Sequence, residues 1–147
     1  MYHLATLAPP VARFRLPFSR DQLMLLLAAV NEIFLGIDIY LAHSISGTIV
    51  RNEWIPIIYG PVAGVILLFA GLIALRNRPA ATLLATVVLV GSIAVGLLGA
   101  YFHLIRAALP TGPAGERLTV RLLVWGPPVL GPLMFSLVGL SGLSAAW

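Results

Sequence analysis

Three stretches of this chain, Trp54 to Leu75, Pro79 to Ile105 and Leu122 to Trp147, contain no Asp, Glu, Lys or Arg. Each exceeds the ~20 residues that, at about 1.5 Å rise per residue, cross a hydrocarbon core of ~30 Å. A fourth, about Gln22 to Ile45, is comparably long but is interrupted by Asn31, Glu32, Asp38 and His43. Inside hydrocarbon every backbone N–H and C=O must find its partner within the protein, and no alternating strand pattern is present, so all four stretches read as helices. The expected fold is an all-α integral membrane protein, a four-transmembrane-helix bundle occupying 19–147. Its helices are placed at about 20–46, 54–76, 79–108 and 117–144, behind an interfacial N-terminal arm at 1–18.

Composition narrows the chemistry. Only 10% of the residues are charged and 60% are apolar, against roughly 25% charged in soluble domains. The absence of cysteine excludes disulfides, thiolate zinc sites, iron–sulfur clusters and the C-x-x-C-H attachment of a c-type haem. The net charge of +4 comes from nine basic residues, all arginine, against five acids. The arginines stand at the ends of the apolar runs, which marks membrane boundaries and not a nucleic-acid face. No phosphate loop, H-E-x-x-H or G-x-S-x-G motif is present. A non-catalytic electron-transfer or accessory subunit therefore fits better than an enzyme.

The helix boundaries carry their own signals. Ser19, Arg20, Asp21 and Gln22 form a capping-box sequence that starts helix one near Arg20. Arg76, Asn77, Arg78 and Pro79 make a tight polar turn with a proline suited to a helix start, and the run Leu109 to Gly115 breaks helix three. The arm lacks a signal peptide's apolar centre and small-residue cleavage site, so it is expected to be retained and to lie along the interface. With four spans, Arg13, Arg15, Arg20, Arg76 and Arg78 share one side, and Arg51, Arg106, Arg117 and Arg121 the other. The positive-inside rule then puts both termini in the cytoplasm, with a bacterial inner membrane as the expected location.

A short pattern occurs twice. Gly36 precedes His43 by seven residues, and Gly96 precedes His103 by the same interval, two helical turns on one face. After each histidine the chain returns through a tryptophan and a proline, Trp54 and Pro56, then Trp125 and Pro127. This suggests two helical hairpins related by a pseudo-two-fold axis along the membrane normal. Helices one and three run in the same direction, so the two histidines sit at similar depth.

Ionisable groups inside a bilayer are costly and are functional hypotheses by default. Gly36 lies beneath His43, and Gly96 and Gly99 lie beneath His103. The simple account of such small residues is close helix packing. The sharper one is a flat cofactor against the glycine faces, with His43 and His103 as axial metal ligands from opposed helices. Haem b fits this cytochrome b-like arrangement: imidazole ligates iron, no cysteine is needed, and Arg106 can neutralise a propionate. A chlorophyll-type pigment has the same requirements. Glu32, Asp38, Tyr40, Tyr59 and Tyr101 are candidates for a proton path or a quinone site. The expected function is a small membrane subunit for electron transfer within a respiratory or photosynthetic complex, with other membrane subunits and the lipid bilayer as partners. The alternative is a cofactor-free structural subunit of a larger membrane complex, and an independent transporter or proton channel is weaker still.

Overall fold

The computed structural model describes residues 19–47, 49–108 and 129–147, with side chains to 105 in the second segment. Among the described residues there are four helices and no strand: α1 (Arg20–Ser46), α2 (Trp54–Ile73), α3 (Arg78–Ala108) and α4 (Leu130–Ala146), with a 3-10 turn, Arg51–Glu53, ahead of α2. Three of these, α1, α3 and the turn with α2, are long and apolar enough to cross a membrane. The described part of α4 is 17 residues of the same apolar character. The arm, the break at Leu109 to Gly115, the expected beginning of the fourth helix with Trp125, Pro127 and Pro128, and the side chain of Arg106 lie outside the described residues.

Local chemistry sets the helix ends. Ser19 is extended, its hydroxyl accepts from the Gln22 N–H at 3.2 Å, and the Gln22 side chain accepts from the Ser19 N–H at 3.0 Å. Two of the donors that a helix start leaves unpaired are thereby satisfied. Ser19→Ala should cost about 1 kcal/mol, read as a lowered unfolding midpoint in mild detergent. At the other end Gly47 turns left-handed, with φ 65°, and its N–H reaches back to the carbonyls of His43 and Ser44. A side chain there would meet strain that glycine avoids. The α2–α3 turn is closed by Asn77, whose Oδ1 accepts from the Ala80 N–H at 3.1 Å. Pro79 falls in the first turn of α3, where a missing N–H costs no helical bond.

Packing is densest between α1 and α2 and between α3 and α4, and α2–α3 and α4–α1 contacts close the circuit. The interior is small and aliphatic, built on Ala28, Ala29, Ala63, Leu67, Ala70, Ala85 and Leu89. Large apolar side chains also cover the outside, among them Phe34, Ile58, Phe69, Leu83 and Val87. Glycines bring the helix pairs together. A Cβ on Gly60 would stand 2.5 Å from the Glu32 carbonyl oxygen, and one on Gly139 would stand 2.6 Å from that of Leu89. Backbones can approach this closely only where side chains are missing.

The duplicated pattern extends further in the second half of each unit. Trp54 and Trp125, Pro56 and Pro127, Gly60 and Gly131, and Pro61 and Pro132 share one offset, since 125 − 54 = 132 − 61 = 71. Pro61 packs on Gly36, and Pro132 packs on Gly99 and Gly96. Pro61, inside α2, removes a helical hydrogen bond, whereas Pro132 falls in the first described turn of α4; each is seated against a glycine of the preceding helix.

Candidate functional site

The two histidines face each other. His43 on α1 and His103 on α3 have ring centroids 6.0 Å apart and planes inclined at 71°. They stand in a cavity of about 260 Å³ whose α1 wall is Leu35, Asp38, Ile39, Ala42 and His43 and whose α3 wall is Val95, Leu98, Gly99, Phe102 and His103. Each of the five α1 residues has an α3 lining residue 60 positions on, since 103 − 43 = 95 − 35 = 60, and Ile105 of α3 lines the cavity as well. The cavity therefore lies between equivalent faces of the two repeated helices. Pro132 and Phe135 of α4, and Ile55 and Pro56 of α2, complete it.

Helix geometry orients His43. Its Nδ1 lies 2.9 Å from the carbonyl oxygen of Ile39, one turn earlier. A carbonyl only accepts, so Nδ1 carries the proton of this bond. Nε2 is left pointing to Glu53, whose Oε1 is 3.5 Å away. Glu53 is itself anchored by the 3-10 turn: its Oε2 accepts from the Val50 N–H at 2.7 Å, while its own N–H donates to the Val50 carbonyl at 2.9 Å. Nε2 is thus the atom of the site that can either hold a second proton, as an ion pair with Glu53, or present a lone pair to a metal. Orientation of a ligating imidazole through its other nitrogen and a backbone carbonyl is the usual support of a metal-bound histidine. Among the described residues no group of three His, Cys, Asp or Glu side chains is placed to hold a metal ion, so the pair itself is the only candidate donor set described.

The other expected site residues are distributed unevenly. Gly99 lines the cavity and also receives Pro132. Gly36 and Gly96 do not line it: a Cβ on Gly36 would meet Pro61 and Gly60, and one on Gly96 would meet Ser136 and Pro132. These two glycines serve the α1–α2 and α3–α4 crossings: the helix neighbours fill the space that their missing side chains provide, and the cavity beneath the histidines is bounded by other residues. Asp38 lines the cavity from α1. Tyr40 and Tyr101 are exposed and lie outside it, Tyr40 beside Trp54 and Tyr101 beside Phe102. Glu32 is fully buried below the cavity. Glu53 is the site residue that the sequence reading missed; its signal is the acid placed three residues after Val50, where its carboxylate caps the turn.

Compared with known proteins, the chain matches no family model, no curated protein and no solved structure.

Proposed function

We propose that this chain is an integral membrane subunit, a bundle of four transmembrane helices in two pseudo-symmetric hairpins, that holds a b-type haem between α1 and α3 and carries electrons within a respiratory or photosynthetic complex. The observation that supports it most is the His43–His103 pair placed between equivalent walls of one cavity. Their ring centres stand 6.0 Å apart, and a ring nitrogen of each would hold the iron. When bound, haem supplies one-electron chemistry. The chain's own contribution is to fix the His43 ring through Ile39 and to offer Arg106 as a propionate partner. In the proposed topology the side that holds both termini, with Arg13, Arg15, Arg20, Arg76 and Arg78, faces the cytoplasm of a bacterial cell.

The macrocycle needs more room than the cavity offers. At about 260 Å³ the cavity is below the ~300–1,000 Å³ of most small-molecule sites, so haem entry requires α1 and α3 to move apart. They are free to do so because their main packing is to α2 and α4 and not to each other. A second reading follows from the present volume and from Glu53: a single-ring headgroup such as a quinone, hydrogen-bonded by His43, fits without movement.

An absorption spectrum separates the readings. Protein produced under haem-replete conditions and purified in mild detergent should show a reduced-minus-oxidised haem band. A colourless preparation that also fails to take up haemin overturns the haem reading. Lipid-soluble quinone recovered by solvent extraction from such a preparation would favour the second. Neither group, with the chain held in a larger assembly on native gels, would mean a cofactor-free structural subunit.

A further inference from the structure

Below the cavity lies a second polar layer that the proposed haem or quinone site does not use. Glu32 on α1 is fully buried, and neither carboxyl oxygen has a hydrogen-bond partner. Its counterpart at the same offset is Ser92 on α3, since 92 − 32 = 60, and Ser92 is fully buried beside it. The two layers are thus repeated-helix pairs, His43 with His103 above and Glu32 with Ser92 below, 11 residues apart (43 − 32), or roughly 16 Å along the helices. Between them lie Leu35 and Val95, which form the cavity floor.

The groups facing Glu32 explain why its oxygens are orphaned. From α3, the Ser92 hydroxyl donates to the Val88 carbonyl at 3.2 Å. From α2, the Tyr59 hydroxyl donates to the same carbonyl. On α4, Ser136 donates to the Ile93 carbonyl at 3.0 Å. On α1 itself, the neighbouring amide of Asn31 is outward and bonds Leu27. The arginines of the described stretches, Arg20, Arg51, Arg76, Arg78 and Arg106, all stand at or outside helix ends, and α1 has none beyond Arg20. Among the described residues no cation stands beside this carboxyl, and the nearby hydroxyls of Ser92 and Tyr59 are turned to the Val88 carbonyl, a costly condition for a buried charged group.

We propose that Glu32 is a reversible proton-binding site in the interior of the helix assembly, framed by Ser92 and Tyr59 and served from the cavity above. The step is one proton from a hydronium ion, arriving by way of the cavity, to a carboxylate oxygen of Glu32; one O–H bond of the hydronium breaks, one forms on Glu32, a water molecule is left, and nothing is oxidised or reduced. A metal cation is a poor occupant, because Ser92 and Tyr59 already point their hydrogens at Val88 and two oxygens alone fall short of the six or more that Ca²⁺ or Mg²⁺ requires. The route is short. Glu32 is one turn from Leu35, Ser92 is one turn from Val95, and Tyr59 meets Phe135, a cavity wall, edge to face with ring centres 6.3 Å apart. The proposal does not depend on what occupies the cavity.

Infrared difference spectroscopy of the full chain in lipid bilayers, acid minus alkaline, tests it. The expected result is a carboxylic C=O band at the high-frequency edge, where acids without hydrogen-bond donors absorb. It should vanish in Glu32→Gln, persist in Asp38→Asn, and move in Ser92→Ala, which keeps the carboxyl and provides the readout if the glutamine variant fails to fold. The same band in Glu32→Gln, or one unmoved by both Ser92→Ala and Tyr59→Phe, overturns the assignment. So does a band displaced by sodium at constant pH, which would identify a cation site instead.

Discussion

Replacing Gly60 by alanine should drive α1 and α2 apart and cause a large loss of stability for a single added methyl group. The new Cβ would lie 2.5 Å from the Glu32 carbonyl oxygen and 2.9 Å from both Cα and N of Gly36. These are backbone atoms, so no rotamer change relieves the clash and the helices themselves must separate. Overpacking typically costs ~1–3 kcal/mol, and with backbone on both sides the upper end applies. Gly64→Ala acts on the same crossing, against the Ala29 carbonyl and Ile33. Once the helices have moved, the second methyl meets less resistance, so the double variant should cost less than the two singles added together. Gly71 supplies the internal control. It is in the same helix, nothing lies within 4 Å of its added Cβ, and alanine there should gain up to ~1 kcal/mol from helix propensity. Unfolding midpoints of the four variants in one detergent decide the matter; a Gly60→Ala protein that melts with the wild type would show that the crossing is not tight.

The same glycines mark the limit of what the sequence discloses. The apolar runs are long enough that their period need not be read, so four helices were legible from charge alone. The capping box at Ser19 was legible because a hydroxyl and an amide three residues apart satisfy each other within one turn. The facing of His43 and His103 was legible too, since matched depth on co-directional helices brings them to one level. The direction in which a glycine faces was not. Gly36 shares a stripe with His43, yet that stripe turns toward Pro61 at one level and toward the cavity at another. Which neighbour fills the gap depends on the crossing, a tertiary property. Glu53 was missed for the opposite reason: its sequence signal is local to a three-residue turn, and only the return of the chain over α1 brings its carboxylate to His43.

Replacing His43 by glycine should abolish tight haemin binding, and added imidazole should restore it. The two substitutions that bear on this site act through different bonds, so their magnitudes separate ligation from support. If His43 ligates through Nε2, its loss removes a metal bond, and affinity in a haemin titration should fall by more than the ~10–100-fold typical of losing an outer partner. Glu53→Gln keeps the shape of the side chain but removes the carboxylate 3.5 Å from Nε2, and its effect should fall inside that window. Imidazole can rescue only the glycine variant, because only there does a ring-sized void open beside the Ile39 carbonyl, which would hold the added ring as it holds the native one at 2.9 Å. His103→Gly should behave as His43→Gly does, since the two rings occupy equivalent positions of the two walls. An equal loss for Glu53→Gln and His43→Gly, with no rescue by imidazole, would place the pair in a structural ion bridge and remove haem from the site.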